Sequence, residues 1–456
     1  MPQTRYHKPR RSVEALRKLL RHAAPRNVVR AIIKMHPADV AELFTALSPI
    51  ERNRLIDLLF QGHRAGVTLS ELPETILEEV LNDVTDERLV AIMARLPVDD
   101  QVFIFESLEE DRQHNLLEKM DEEDADDLRR FMIYPPDSAG RKATDQYLAF
   151  HLDMTVGEVT FQLRNDTEAP EMLSYLYVVD DNNRLVGVVP LRRLIISKED
   201  TRLRDVMTSD IIAVGGAEDQ EEVARIVARY NILGVPVVDA EGRMLGVVTV
   251  DDVIDILEEE FTEDMYHMAG LDDEDRVFSP IRHSLGKRLP WMVLNLFTAF
   301  IAASVIGVFE HVIQEMAVLA IFLPVVAGVS GSTGTQTLTV VTRAIAIGEL
   351  ELGSGLKAVV KQMAVGMGNG LVVGLVAGIA VYMWKGTYYL GLVLWLSLTI
   401  NMIFAGFLGA FVPLALKRLK FDPAVGSSVM ITTLVDTLGF LTFLGLAYMI
   451  MPAFAA

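Results

Sequence analysis

The chain has no cysteine in 456 residues. That excludes disulfide scaffolds, thiolate metal sites and cysteine nucleophiles together. Positive charge is scarce: 42 Lys and Arg stand against 62 Asp and Glu, a net of −20. Nucleic acid draws its affinity from basic side chains on phosphates, so this balance argues against such a partner and favours cations. No P-loop, zinc-binding HExxH helix or nucleophile elbow is present, and an enzyme is not expected. The basic stretch Met1 to Arg11 is not followed by an apolar run, so no cleavable signal peptide is expected.

What the chain has in plenty is apolar sequence, 51% of its residues, unevenly placed. From Arg282 onward there are 10 basic and 6 acidic residues, which leaves 32 basic and 56 acidic in residues 1–281, a net of −24. A bilayer takes about 20 apolar residues to cross. Five stretches after Pro290 reach that length: Trp291–Phe309, Val318–Ile347, Val359–Trp384, Tyr389–Leu416 and Ala424–Met451. Nine Lys and Arg flank these spans on one side, from Arg282, Lys287 and Arg288 to Lys417, Arg418 and Lys420, and only Lys385 lies on the other. The positive-inside rule then puts the acidic portion in the cytoplasm and the C-terminus outside a plasma (inner) membrane, with lipid around the spans.

The length allows two to four domains. Residues 1–139 show apolar residues at helical spacing with polar breaks, as in Leu89-Val-Ala-Ile-Met-Ala-Arg-Leu96, and predict stacked short helices, an acidic superhelical scaffold. Residues 140–200 and 201–257 are two copies of one unit. Tyr177-Val-Val-Asp-Asp-Asn-Asn-Arg-Leu-Val-Gly-Val-Val-Pro-Leu191 aligns with Pro236-Val-Val-Asp-Ala-Glu-Gly-Arg-Met-Leu-Gly-Val-Val-Thr-Val250 at an offset of 59 residues. Each copy predicts a strand, a turn, a strand and a helix. The arrangement resembles a tandem pair of CBS domains, regulatory α/β modules that pair face to face. Residues 258–285 connect this pair to the membrane domain, 286–456.

At that connection Asp251-Asp-Val-Ile-Asp-Ile-Leu-Glu-Glu-Glu-Phe-Thr-Glu-Asp264 predicts a helix with an apolar face (Val253, Ile256, Leu257, Phe261) and an acidic stripe (Asp252, Asp255, Glu259, Glu263). Like charges at such spacing cost a helix a few tenths of a kcal/mol per pair. A second acidic group, Glu218-Asp-Gln-Glu-Glu222, opens another helix, where the dipole favours negative charge. Solvated helix faces would account for such runs in most chains. Here they join a regulatory module to a membrane domain, where a divalent cation bridging carboxylates would hold the parts together and its removal would leave repulsion.

The sharpest chemical signal is Asp436, an acidic residue deep inside the last span, 14 residues or ~20 Å beyond Asp422. An unpaired charge there costs roughly 2.5–3.5 kcal/mol on insertion scales, so it is expected to face a water-filled path; a protonated structural carboxyl is the alternative. Thr432 and Ser428 share its helical face. Ser332, Thr335 and Gln336 of the second span add neutral oxygens, although small residues in a span also serve plain helix packing. Oxygen ligands around one carboxylate suit a hard cation such as Mg²⁺, which keeps several of its waters. If two subunits meet at the pore, two copies of Asp436 supply −2, matching one divalent ion.

These residues resemble the MgtE family of magnesium channels over nearly the whole chain. The most specific pieces are Gly331-Ser-Thr-Gly-Thr-Gln336, Asp422-Pro-Ala, Asp436-Thr-Leu-Gly439, Asp219-Gln-Glu-Glu-Val-Ala-Arg225 and Thr249-Val-Asp-Asp252 running into Thr262-Glu-Asp264. The resemblance implies an all-α N domain, a CBS pair, a connecting plug helix and five transmembrane helices. It implies a homodimer with the pore at the subunit interface and Asp436 as the pore carboxylate. It also implies a cytosolic Mg²⁺ sensor made of Asp219, Glu221, Asp252, Glu260, Glu263, Asp264 and, at the plug–membrane contact, Asp422, with Asp99 as the N-domain contribution. Mg²⁺ would then be both cargo and regulator. The family's span-2 pattern Gly-Asn-x-Gly-Asn-Gln carries Ser332 and Thr335 here, and Ser428 replaces a further Asn; shorter hydroxyls would leave a wider or differently hydrated site. Thr249 and Asp252 fit a ribose-binding pattern for ATP, while Arg192-Arg193 stands where an Arg-Asp pair would help hold it. The expected function is a Mg²⁺ channel closed by cytosolic Mg²⁺. The alternatives are a transporter or exporter of other divalent cations (Mn²⁺, Co²⁺, Ca²⁺) and a membrane-tethered nucleotide sensor.

Overall fold

A computed structural model describes residue 20 and residues 25–165, 174–271, 275, 277, 279–350, 352–424 and 427–450. It divides into two compact units, 1–256 and 257–456. Parts of the expected first domain (1–19, 21–24), of the first repeat (166–173), and of the expected last span (425, 426, 451) lie outside the described residues.

The first unit opens with nine short helices among the described residues, from Pro25–Ile32 to Glu122–Met132. Proline starts several of them, at Pro25, Pro37 and Pro49, where a missing N–H costs nothing. At Ser48 the backbone N and the hydroxyl both donate to Glu51 Oε2, at 3.2 and 3.1 Å, which closes off the helix start. Each helix is too short to stand alone and is held by one buried side: Phe44, Leu55, Leu77, Leu89, Leu116, Leu128 and Phe131 belong to one continuous core.

The two repeats follow as two three-stranded sheets. Strand β1 (Ala149–His151) runs parallel to β2 (Tyr175–Val179), which pairs antiparallel with β3 (Leu185–Pro190). In the second copy β4 (Val214–Gly215), β5 (Gly234–Val238) and β6 (Met244–Thr249) repeat this order. The 59-residue offset is kept down to the irregularity: the register slips between Val178 and Val179 and again between Val237 and Val238. The turns are built alike. Asp180 Oδ1 accepts from the backbone N of Asn182 and Arg184, and Asp239 Oδ1 from Glu241 and Arg243, at 2.9 to 3.0 Å. Tyr177, Val179, Met244 and Val247 form one apolar cluster joining the two sheets. Strands β1 and β4, with three and two residues, were not expected from the sequence.

The helix Val250–Met268 follows β6 without a break. Val253 and Ile256 are buried; Leu257 and Phe261, further along the expected apolar face, are exposed. It ends at Gly270, whose φ of 70° lies in the left-handed region. Among its described residues, the stretch 258–285 holds the end of this helix, the turn at Gly270 and the start of the next helix at Ile281.

Among the described residues five helices are long and apolar enough to cross a membrane: Ile281–Val308, Ala317–Ala346 (opening with a 3₁₀ turn), Gly355–Lys385, Tyr388–Arg418 and Ser428–Ile450, here spans 1 to 5. Span 1 starts ten residues before the expected Trp291 and runs through Pro290. Most of its side chains are uncovered in the single chain. Span 4 is the central one. Span 3 lies against it along Gly366, Gly370, Gly374 and Gly378, where an added Cβ at Gly370 would sit 2.6 Å from Thr399 Cα and one at Gly378 2.7 Å from the Gly391 carbonyl oxygen. Such a seam lets two backbones touch, which is how helices associate when lipid removes the hydrophobic drive. Span 5 packs on spans 2 and 4 through Ile431 and Val435, which face Gly334, with Ala405 at the edge of the contact.

Candidate cation path and junction site

Span 5 carries Asp436 half-buried at mid-helix, with Thr432 exposed and Ser428 half-buried one and two turns before it. Among the described residues no basic side chain lies within ion-pair distance of Asp436. On span 2 the buried side, Thr333, Gly334, Thr337 and Leu338, turns toward the bundle. The opposite side is polar and open. Ser332, Thr335, Gln336 and Thr339, with Val340, line a groove of about 570 Å³. The hydroxyls donate back along the helix, Ser332 to the Gly328 carbonyl at 2.8 Å, Thr335 to Gly331 at 3.1 Å and Thr339 to Thr335 at 3.0 Å. With its proton committed, each oxygen presents only lone pairs outward, the right chemistry for a cation or the waters around one. The groove is lined by span 2 alone; Asp436, Thr432 and Ser428 are not part of its wall. Thr339 was not singled out in the sequence, although it stands one turn beyond Thr335 on the same face.

A second cluster lies where the helix Val250–Met268 meets the loop between spans 4 and 5. Asp422 is pinned by one oxygen, Oδ1, which accepts from Ala424 N at 2.8 Å. Its Oδ2 lies 3.0 Å from His267 Nδ1, which is also 3.5 Å from Glu263 Oε1. Donor atoms of Glu263, His267 and Asp422 fall within 4.8 Å of one another, a spread that one metal ion could span. Asp264 lies beside them; burial, and then the charge of Asp422, push its carboxyl up to about 6, with His267 pulling the other way. Glu260 sits half-buried on the preceding turn. The structure thus joins Glu263, Asp264 and Asp422, as expected members of one set, and adds His267, which sequence reading passed over. The signal was present, since Glu263 and His267 are spaced i, i+4 on one helix face, but the partner carboxylate is 155 residues away.

In the first unit the expected sensor residues separate into two places. Asp99, with Asp100 beside it in the helix Val98–Glu106, comes close to Asp252. Burial, then the charges of Asp100 and Asp252, raise the Asp99 carboxyl to about 8. Burial and Asp252 raise Asp100 to about 6. Asp252 is itself raised by burial, against hydrogen bonds from Thr249 that favour its charged form. One oxygen of Asp99, Oδ1, is buried with no hydrogen-bond partner. Carboxylates crowded in a low-dielectric place, one with an orphaned oxygen, fit a divalent cation in the chemistry of their donors. Asp219 and Glu221 stand elsewhere, at the start of the helix Gln220–Tyr230. There Asp219 is the N-cap and accepts from Glu221 N at 2.8 Å.

Of the three residues expected at a nucleotide, two meet. Thr249 donates from its hydroxyl (2.5 Å) and its backbone N (3.2 Å) to Asp252 Oδ2, capping the helix Val250–Met268. Arg192 is exposed on the helix Leu191–Ile196 of the first repeat. Its neighbour Arg193 donates to the Val206 carbonyl at 3.1 Å and to Thr208 Oγ1 at 3.2 Å.

A bundle of five spans with an open oxygen-lined face, an intramembrane carboxylate and carboxylate clusters outside the membrane defines a cation transporter. Comparison with known proteins agrees: residues 323–446 match the family described as divalent cation transporter, 35–137 the MgtE intracellular N domain, and 142–198 and 203–259 the CBS domain. The chain is 32% identical over 430 residues to the magnesium transporter MgtE of Bacillus subtilis, covering 94% of this chain and 95% of that protein. It is 34% identical to the magnesium transporter MgtE of Thermus thermophilus, covering 96% and 98%. A solved cytosolic domain of the Mg²⁺ channel MgtE in complex with ATP superposes with a TM-score of 0.51 at 33% identity, covering 54% of this chain and 99% of that one. The chain belongs to the MgtE family of magnesium transporters.

Proposed function

We propose that this protein conducts Mg²⁺ across the cell membrane as a homodimer, through a pore at the subunit interface, and that cytosolic Mg²⁺ closes it. The observation that carries the reading is the open face of span 2. Four polar side chains, Ser332, Thr335, Gln336 and Thr339, are exposed in a membrane-spanning helix whose other side is buried at Thr333, Gly334, Thr337 and Leu338. Lipid would leave their lone pairs unserved, so water and a second copy of the chain are the fitting cover. Asp436 supplies the charge, and two copies balance one divalent ion. Hydroxyls that already donate inward leave acceptor oxygens to hold the water shell of Mg²⁺, an ion that gives up its waters reluctantly.

In this reading the cytoplasmic portion is the sensor, the membrane is the plasma (inner) membrane, and the C-terminus lies outside. Glu263, Asp264 and Asp422 hold one Mg²⁺ at the junction through their oxygens; Asp99, Asp100 and Asp252 hold another in the first unit; Asp219, Glu221 and Glu260 contribute further carboxylates. A bound cation supplies the positive charge that lets these groups ionise side by side. Without it Asp422 and Asp264 repel, and the contact between the helix Val250–Met268 and the loop after span 4 loosens. Moving a gate from 1:99 to 99:1 takes about 5.5 kcal/mol of differential binding, within reach of several weak sites acting together in a dimer. The similar cytosolic domain was solved with ATP, and Thr249 with Asp252 at the end of β6 is the place where this chain would take a ribose, as a regulator rather than a fuel.

The test is Mg²⁺ flux into proteoliposomes while Mg²⁺ on the cytosolic face is varied. Asp436→Ala should abolish flux with the dimer intact on size-exclusion chromatography. Retained flux would remove Asp436 from the path, and a wild-type flux indifferent to cytosolic Mg²⁺ would remove the sensor.

A further inference from the structure

We infer that the junction cluster of Glu263, His267 and Asp422 is a site for a nitrogen-seeking divalent metal of the manganese-to-zinc series, and that such a metal closes the pore at lower concentration than Mg²⁺ does. The inference rests on the reading that cations at this junction close the pore, and adds the identity of the metal class that binds there best.

The donors decide the class. Mg²⁺ prefers oxygen and keeps its water, and the rest of the cation chemistry on this chain is oxygen only. At the junction an imidazole enters, through Nδ1, the ring atom that faces both Asp422 Oδ2 and Glu263 Oε1. Imidazole contributes little to Mg²⁺ but suits Mn²⁺, Co²⁺, Ni²⁺ and Zn²⁺, with Mn²⁺ the weakest of the four. The geometry is organised for it. Glu263 and His267 stand one turn apart on the face of one helix, the spacing that lets two side chains share an ion. Asp422 cannot swing freely, because its other oxygen accepts from Ala424 N. Two carboxylates with one neutral imidazole supply −2, which a divalent ion cancels. Half-burial of Glu263 and His267 limits competition from bulk water. The rival reading gives His267 a smaller role, that of a protonated partner to Asp422 and Glu263 with no metal contact.

Pulsed electron paramagnetic resonance on the full chain separates the two. With Mn²⁺ added at one equivalent per chain, echo-envelope modulation should show directly bound nitrogen. Labelling histidine with ¹⁵N should shift that modulation, and His267→Gln should abolish it, leaving the other eight histidines in place. In proteoliposomes, Zn²⁺ on the cytosolic side should close the wild type at a concentration about tenfold or more below that of Mg²⁺, a gap of at least about 1.4 kcal/mol. His267→Gln should erase this gap while shifting the Mg²⁺ response by less than about twofold. Absence of nitrogen modulation in the wild type, or unchanged Zn²⁺ sensitivity in the variant, would overturn the assignment and leave His267 a charged partner. Should Mg²⁺ fail to close the wild type, gating by cytosolic Mg²⁺ is what falls, while the resonance measurement still decides which metal the cluster binds.

Discussion

Replacing Asp99 by Asn offers a direct measure of the electrostatic tension in the first unit. The free carboxyl titrates near 3.8, and in the folded chain the value is pushed up to about 8 by burial and by Asp100 and Asp252. A raised carboxylate means that the folded form holds a proton that the unfolded form has released. Stability is therefore full below the unfolded value, falls as pH rises between about 4 and 8, and levels off above the folded one. At pH 7 the accumulated penalty is of the order of 4 kcal/mol, from about three pH units at 1.36 kcal/mol each. An amide of the same shape has no proton to lose, but its nitrogen takes the orphaned position of Oδ1 and brings a buried donor with no acceptor, at a cost of ~1–3 kcal/mol. The net expectation is a gain of about 1–3 kcal/mol at pH 7 without divalent cations, or a rise in midpoint of ~2–10 °C for a unit of this size. The assay is thermal unfolding of the purified full chain in detergent, in chelator and in excess Mg²⁺, at pH 5 and pH 7. The wild type should gain from Mg²⁺ and lose on going from pH 5 to 7 in chelator; Asp99→Asn should do less of both. A variant less stable than the wild type in chelator at pH 7, with an undiminished Mg²⁺ effect, would show that Asp99 is not under the tension described.

The membrane unit yields two more expectations. Gly370→Ala places a Cβ 2.6 Å from Thr399 Cα, a backbone atom that cannot step aside, and overpacking of this kind costs ~1–3 kcal/mol. The variant should unfold or lose yield in detergent more readily than Gly368→Ala, whose Cβ meets nothing within 4 Å; equal behaviour would dissolve the seam argument. Thr335→Val keeps the shape of the side chain and removes the lone pairs facing the groove, and should lower Mg²⁺ flux several-fold without changing the fold, as read by flux and by size-exclusion profile.

The sequence carried most of the architecture because its signals were long or repeated. Apolar stretches of 19 residues or more and a copy at a constant offset of 59 survive any local ambiguity. What escaped was short or distant. Strands β1 and β4 have too few residues to show alternation, and they exist because β2 and β5 offer a parallel edge to pair with. The early start of span 1 escaped because a Pro suggests a helix start, whereas here Pro290 is carried inside a helix beginning at Ile281. The carboxylates were legible as a class but not as groups. Acidic spacing along one helix cannot show that Asp99 will meet Asp252, nor that Asp422 will meet His267 before Asp264. For the same reason His267 went unnoticed: an isolated imidazole has no meaning until a fold brings it a carboxylate.

The glycine zipper between spans 3 and 4 has a mechanical corollary. Two rods in backbone contact over four successive turns, with Gly391 and Gly406 answering from span 4, cannot slide or roll without collision. They form a chassis. Whatever opens and shuts in this bundle is left to the other helices, chiefly spans 1 and 5, since span 2 also meets span 4 closely where Gly409 lies over the Gly334 carbonyl oxygen.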